Sequence, residues 1–155
     1  MLNLRRILVP IDFSPPSRDA LVYAAALADK VEAELFLLHV VQDLAVFLPD
    51  AVTVTPVALP PIEQLTAAVR KGLTRFLRES QLEGRPVQEE VREGPPHAEI
   101  VSFAAEAGID LIVMGTHGRG GLRHMLLGSV TEKVVRSAPC QVLTVRHPLP
   151  ARARP

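Results

Sequence analysis

Residues 7–17 read Ile-Leu-Val-Pro-Ile-Asp-Phe-Ser-Pro-Pro-Ser, and this stretch decides the fold. The run Ile7–Ile11 is continuously apolar, as expected of a strand buried on both faces of a parallel sheet. A helix is predicted directly after it, because Ser14 can cap a first turn and Pro15 stands where a missing N–H costs nothing. A buried strand followed at once by a helix is typical of an α/β fold.

The same alternation continues along the whole chain. Strands are predicted at Ile7–Ile11, Glu34–Val41, Pro86–Arg92, Leu111–Met114 and Gln141–Val145. Helices are predicted from Ser14, and over Pro61–Gln81, Pro96–Gly108 and Ser129–Ser137. Since crossovers between parallel strands are right-handed, this pattern predicts a five-stranded parallel sheet with helices on both faces. The loops after the first and fourth strands carry the most unusual residues, so the reversal of strand order is placed between these two strands, which gives the order 3-2-1-4-5. A ligand is then expected beyond the carboxyl ends of the strands, where the order reverses between the first and fourth strands.

Length and composition indicate one domain and exclude several partners. The 155 residues fit a single domain, predicted over 1–147, with a Pro-, Ala- and Arg-rich tail over 148–155 that is expected to be disordered. Acidic and basic residues balance at 17 each, so no net charge recruits nucleic acid. No run approaches the ~20 apolar residues that span a membrane. The single cysteine, Cys140, excludes an internal disulfide, and the composition favours a soluble, cytoplasmic protein.

A glycine-rich loop follows the fourth predicted strand. It reads Gly-Thr-His-Gly-Arg-Gly-Gly-Leu-Arg-His-Met-Leu-Leu-Gly-Ser over residues 115–129. Glycines let successive backbone N–H groups converge on an anion, and a helix that begins at Ser129 directs its positive end into the same region. Arg119 and Arg123 are placed either to add charge-assisted hydrogen bonds or only to be solvated. The loop therefore predicts a phosphate site.

Two familiar phosphate motifs do not fit this loop. A Walker loop needs Lys followed by Ser or Thr after its last glycine, whereas Gly120 is followed by Gly121 and Leu122. The dinucleotide fingerprint G-x-G-x-x-G would start at Gly118, but its last position is Arg123. That fingerprint is also expected after the first strand of such a sheet rather than after the fourth.

The spacing that does fit is Gly115-x2-Gly118-x9-Gly128-Ser129, which resembles the G-x2-G-x9-G-(S/T) signature of the universal stress protein family. The resemblance extends to three flanking segments, in the order that the family has them. These segments are Ile7–Asp12 with Ser14 and Ser17, Leu38–Val40, and Pro139–Val145. It covers residues ~5–146 and implies a Rossmann-like fold of the adenine nucleotide alpha hydrolase type. Among the family's two groups, the sequence resembles the members that bind nucleotide.

The resemblance implies a role for each matching residue toward ATP. Asp12, with Pro10 and Ile11, would close the first strand at the adenosine and accept a hydrogen bond from a ribose hydroxyl. The backbone of Val40 would meet the adenine edge, and Met114 and Gly115 would border the ribose. The residues implied at the phosphates are Gly118, Gly128, Ser129, Val130 and Thr131. Binding members of the family often carry Mg²⁺ or Mn²⁺ on the phosphates, although the sequence shows no dedicated set of protein ligands.

Several of these residues also have a purely structural interpretation. The loop glycines are compatible with turns alone, and Ser129 with Glu132 forms an S-x-x-E capping box, so its hydroxyl is expected to cap the helix, to contact phosphate, or both. Asp12 could cap the first helix together with Ser14. His117 and His124 are expected to be solvated rather than catalytic, because nothing in the sequence pairs with them. His39 is interpreted as a core histidine with a satisfied hydrogen bond, and Cys140 as a small buried apolar residue.

Three functions remain open at this point. The first is a regulatory or stress-response module that binds an adenine nucleotide, and the second is a slow ATPase or phosphotransferase that uses the same loop. The third is a dimerisation module with a vestigial pocket. The first is favoured over an enzyme, because the loop has no Lys for the β- and γ-phosphates and no evident carboxylate to position water. A homodimer is expected through Gln141–Val145, which the predicted strand order places at an apolar sheet edge and which family members commonly use.

Overall fold

A computed structural model describes residues 4–42, 62–117 and 127–147 of the chain. Its elements follow one another as alternating strands and helices. In chain order they are β1 (Arg6–Pro10), α1 (Pro15–Val31), β2 (Glu34–Val41), α2 (Ile62–Glu79), β3 (Gln88–Glu93), α3 (Pro96–Glu106), β4 (Leu111–Gly115), α4 (Ser129–Ser137) and β5 (Gln141–Val145). The predicted βα alternation is therefore confirmed.

The five strands form one sheet in the order β3-β2-β1-β4-β5, and every pair in it is parallel. This order and the α/β fold class are the ones predicted from the sequence. The chain moves outward from β1 to β3 and then crosses to the other side of β1 for β4 and β5. The reversal of strand order therefore lies between β1 and β4, as expected.

Helices cover both faces of the sheet and bury two separate apolar clusters. Under α1 and α2 the cluster is made by the odd-numbered residues of β1 together with one face of each helix, including Ala20, Ala24 and Leu73. The cluster on the opposite face contains Leu8, Leu38 and residues of α3 and α4. Alternate residues of the central strands thus point into opposite clusters, which is why their sequences are continuously apolar.

The ends of the elements follow from local chemistry. Ser14 is the N-cap of α1 and accepts a hydrogen bond from the Ser17 N–H, as the sequence predicted. The turn after α3 contains Gly108 at φ 60°, a conformation that glycine adopts without steric cost. The structure ends β1 at Pro10 rather than Ile11, but the Ile11 N–H still donates to the Leu38 carbonyl at 2.8 Å.

One expectation falls on a part of the chain that the structure does not describe, since the tail over 148–155 lies outside the described residues. Within the described residues, no helix combines the length and the apolar character needed to cross a membrane.

Candidate functional site

The strand lengths create a notch at the carboxyl edge of the sheet. β1 ends at Pro10, paired with Leu38, whereas β2 continues to Val41 alongside β3. On the other side, β4 continues to Gly115 alongside β5. A central strand that ends before both of its neighbours leaves an opening between them, at the point where the strand order reverses.

The residues implied at the adenosine lie around this notch. β1 pairs with β2 as far as Pro10 and Leu38, and Asp12 follows two residues later, beside the part of β2 that continues through Val40. Val40 is half-buried and packs against the cluster under α3 and α4, and Met114, on the opposite side of the notch, is buried in the same cluster. The fold thus brings residues that lie up to 104 positions apart in the chain to this edge of the sheet, namely Pro10, Ile11, Asp12, Val40 and Met114.

Asp12 is held in a defined orientation by the start of α1. Its Oδ1 accepts hydrogen bonds from the Ser14 N–H at 3.0 Å and from the Ser14 hydroxyl at 2.5 Å. The Asp12 carboxylate thus closes an Asx turn with the backbone N–H two residues further on, as Asp side chains commonly do. Ser14 caps α1 itself, so Asp12 supports the cap rather than providing it.

His39 joins the ends of β1 and β2. Its Nδ1 lies 2.7 Å from the Ile11 carbonyl oxygen, which can only accept, so the proton is on Nδ1. The imidazole is half-buried, and the interpretation of His39 as a core histidine with a satisfied hydrogen bond is correct. This contact also fixes the position of the peptide immediately before Asp12.

The N-terminus of α4 faces the same edge without a side-chain cap. The N-cap is Gly128, so the predicted capping box of Ser129 with Glu132 is wrong. The Gly128 N–H donates to the Thr116 carbonyl at 2.7 Å. Ser129 is the first residue of the helix, and its side chain is exposed. Among the described residues, no side chain caps the first turn of α4, so its N–H groups are suitable donors for an anion.

The other helix that begins at the notch differs in this respect. Pro15 and Pro16 occupy the first positions of α1 and have no N–H groups. The Ser17 N–H donates to the Ser14 hydroxyl at 3.3 Å, and the Arg18 N–H donates to the Ser14 carbonyl at 3.1 Å. In the first turn of α1 the backbone N–H groups are thus either missing, at the prolines, or already hydrogen-bonded to Ser14. The first turn of α4 is therefore the better anion site of the two.

Gly115 and Thr131 connect β4 to its neighbours. The buried Thr131 hydroxyl donates to the Gly115 carbonyl at 2.9 Å and ties the first turn of α4 to the end of β4. A Cβ on Gly115 would lie 2.8–2.9 Å from the Cβ, C and O atoms of Pro16, closer than real Cβ atoms approach. Gly115 is therefore required for the close packing of α1 on β4, a role that the motif alone does not reveal.

Part of the predicted phosphate site lies outside the described residues. Gly118 and Arg119, together with Arg123 and His124, belong to 118–126, which the structure does not describe. His117 is half-buried, and its Nδ1 is 3.1 Å from the Thr116 hydroxyl oxygen, so it is not simply a solvated side chain. Of the residues predicted at the phosphates, the structure describes Gly128, Ser129, Val130 and Thr131, which lie at the start of α4.

The remaining reactive groups do not converge on the notch. Among the residues that the structure describes, no three His, Cys, Asp or Glu side chains come together as a metal site would require. Cys140 is half-buried and packs against the cluster under α3 and α4. Burial raises the pKa of its thiol, and the nearby Asp110 carboxylate adds to that effect.

The sequence interpretation missed the contribution of Phe13. This residue follows Asp12 directly, has a left-handed φ of 63° and packs between His39 and α2. One signal was available, since Gly72 lies inside the predicted second helix, and a glycine there indicates close packing. The left-handed backbone of Phe13 had no signal in the sequence.

Comparisons with known proteins identify the family of the chain and agree with its fold. A profile described as the universal stress protein family matches residues 3–146. Universal stress protein MJ0531 of Methanocaldococcus jannaschii is 36% identical over 146 residues, which are 93% of this chain and 83% of that protein. The solved structure of MJ0577, from the same organism, has a TM-score of 0.74 at 30% identity and covers 97% of this chain and 100% of that one.

A third comparison concerns the fold alone. A universal stress protein solved in complex with cAMP has a TM-score of 0.63 at 22% identity, over 93% of this chain and 98% of that one. Because the family profile covers most of the chain and several relatives match over nearly their full length, the chain belongs to the universal stress protein family.

Proposed function

We propose that the protein is a regulatory or stress-response module that binds ATP or a related adenine nucleotide in the notch at the carboxyl edge of its sheet. The observation that carries the proposal is the uncapped first turn of α4 beside that notch. Backbone donors at a helix N-terminus bind phosphate, and a crevice at the reversal of strand order is where α/β sheets hold nucleotides. A universal stress protein of the same fold has been solved in complex with cAMP, which is itself an adenine nucleotide.

The described residues have distinct parts in this proposal. The backbone of Val40 meets the adenine edge, and the Asp12 carboxylate accepts from a ribose hydroxyl while Ser14 holds its orientation. Met114 and Gly115 border the ribose. The N–H groups at Ser129 and Val130 donate to phosphate oxygens, together with Gly118 and Arg119 of the glycine loop.

A divalent cation fits the proposal only as a companion of the phosphates. Mg²⁺ is usually held by phosphate oxygens and water together with few protein ligands. The metal would neutralise phosphate charge, and the protein residues would orient the nucleotide. The proposal includes a cytoplasmic location, where a protein with one unpaired cysteine remains reduced.

Titration calorimetry with ATP tests the binding proposal. The wild-type protein is expected to bind, and Gly118→Val is expected to abolish binding, because a branched side chain blocks the approach of the backbone to phosphate. Arg136→Ala is the control, since Arg136 lies in the last turn of α4 and pairs with Glu132. Equal ATP affinity in wild type and folded Gly118→Val would refute the proposal.

We further propose that the protein forms a homodimer through the outer edge of β5. The two edge strands of the sheet differ in charge, since β3 reads Gln-Glu-Glu-Val-Arg-Glu and β5 reads Gln-Val-Leu-Thr-Val. Charged side chains discourage edge-to-edge pairing, so β3 is protected whereas β5 is not. Two copies of β5 that meet antiparallel across a two-fold axis would satisfy each other's backbone groups.

Two glutamines offer a matched test of this dimer. Gln141 and Gln88 are both exposed and are the first residues of β5 and β3. Light scattering at tens of micromolar is expected to show a dimer that Gln141→Lys weakens and Gln88→Lys leaves intact. A monomeric wild-type protein, or equal effects of the two substitutions, would contradict the proposal.

A further inference from the structure

An aromatic cluster connects α2 to the turn that carries Asp12. The Phe13 ring lies 4.7 Å from the His39 ring and 5.6 Å, edge-on, from the Phe76 ring of α2. Phe76 is buried, and a Cβ on Gly72 would lie 3.2 Å from the tip of the Phe13 ring. Gly72 thus provides the space for the ring, and Phe76 provides its edge contact.

The backbone of Phe13 does not favour this conformation by itself. Its φ of 63° is in the left-handed region, which is unfavourable for a bulky side chain. Such a conformation persists when surrounding contacts determine it. Two sets of contacts do so here, because His39 holds the Ile11 carbonyl on one side of Asp12 and α2 holds the Phe13 ring on the other.

We infer that Phe13 is a positioning residue for the nucleotide site, which it couples to the docking of α2 through Phe76. The inference rests on the proposed function and identifies what controls the affinity of that site. If the contact with α2 is lost, the strained turn relaxes and Asp12 spends less time in the orientation that receives the ribose. Apparent affinity then falls in proportion to the competent fraction.

The structure contains a matched control for this idea. Phe76 and Phe103 are both buried, and each has an arginine side chain over its ring. Each ring also contacts one other phenylalanine ring, that of Phe13 for Phe76 and that of Phe36 for Phe103. Arg18 is 5.2 Å from the centre of the Phe76 ring, and Arg92 is 4.9 Å from that of Phe103. Phe103 belongs to the cluster on the opposite face of the sheet, which also contains Met114 and contacts Val40. It therefore controls for the loss of an aromatic contact near the notch that does not involve Phe13.

The experiment compares Phe76→Leu with Phe103→Leu in the full-length protein by ATP calorimetry. Because an aromatic pair contributes a modest but measurable energy, Phe76→Leu is expected to lower ATP affinity about fivefold. Phe103→Leu, on the other face, is expected to leave affinity within about twofold of wild type. Equal affinities of the two variants would overturn the inference.

A second readout needs no ligand. The Ser14 amide donates to the Asp12 carboxylate, so its NMR signal reports the orientation of Asp12. Phe76→Leu is expected to shift that signal in the ligand-free protein, whereas Phe103→Leu does not. An unchanged Ser14 signal in folded Phe76→Leu would refute the positioning role even if the proposed function fails and the wild type binds no ATP.

If Phe76→Leu fails to fold, Phe13→Gly replaces it. Glycine adopts a φ of 63° without strain, so this variant is expected to fold. It lacks the ring that holds the turn against α2, and its backbone is free to leave that conformation, so affinity is expected to fall to a similar extent. Wild-type affinity in Phe13→Gly would overturn the inference. No ATP binding by the wild type would refute the proposed function, and the Ser14 signal of the ligand-free variants would then decide whether Phe13 positions Asp12.

Discussion

Gly115→Ala tests whether the glycine at the end of β4 serves packing as well as ligand binding. The φ of Gly115 is not in the left-handed region, so alanine is compatible with the backbone and would by itself stabilise the fold slightly. The added Cβ, however, would lie 2.8 Å from the Pro16 Cβ and 2.9 Å from its backbone C and O atoms. Backbone at the start of a helix cannot yield as the tip of a flexible side chain does, so we expect a loss of about 2 kcal/mol in the free energy of unfolding.

Urea denaturation monitored by circular dichroism measures this loss. A change of about 2 kcal/mol corresponds to a fall of roughly 4–8 °C in the melting temperature of a domain of this size. Gly84→Ala is the control, because Gly84 has a φ of 78° with open space around it and loses only the backbone preference of glycine. Equal or greater stability of Gly115→Ala than of wild type would refute the packing argument.

Three further predictions concern single side chains, and a fourth concerns the rate of ATP hydrolysis. Thr131→Val removes a buried hydroxyl from the Gly115 carbonyl, so it is expected to lower the free energy of unfolding by about 1 kcal/mol in urea denaturation; unchanged stability would contradict the contact. Burial raises the pKa of the Cys140 thiol, so native protein is expected to react with iodoacetamide more slowly than unfolded protein at pH 8, and an equal rate would count against this. Hydrogen bonds from Arg92 lower the pKa of Glu106 from 4.5 to about 2, so the stability they confer is present above pH 4.5 and is lost as pH falls toward 2. The wild type should therefore lose more stability than Glu106→Gln between pH 6 and pH 3, and parallel losses would refute the assignment. Phosphate release from ATP is expected to be far slower than the roughly 10 per second of a typical enzyme, and a rate of that order would favour an ATPase.

The sequence predicted most of the fold because the decisive signals are local. Apolar runs of strand length determined β2 and β5, whose bounds match the prediction residue for residue. Strand order was predicted from the loops after the first and fourth strands, because their unusual residues indicated a ligand site and such sites lie where the strand order reverses. β1 was predicted one residue too far along the chain, because Ile11 is apolar and hydrogen-bonded although the strand has ended.

The details of the site depended on contacts between distant segments. Helix α4 begins at Ser129 as predicted, yet its N-cap is Gly128, whose N–H donates to the Thr116 carbonyl, and a local pattern cannot show that bond. Gly115 was interpreted as part of a phosphate loop because its clash with Pro16 arises only when α1 packs on β4. The conformation of Phe13 likewise depends on a helix about 60 residues further along the chain.

The most direct test of the central claim is the change in backbone amide signals of the ¹⁵N-labelled protein on addition of ATP. If the nucleotide occupies the notch, the largest changes are expected at Asp12, Val40, Ser129 and Val130, which are separated in sequence but meet at one edge of the sheet. Asp110, at the opposite end of β4, is expected to keep its signal. An unchanged spectrum at millimolar ATP, or changes confined to residues away from the carboxyl edge, would contradict the claim.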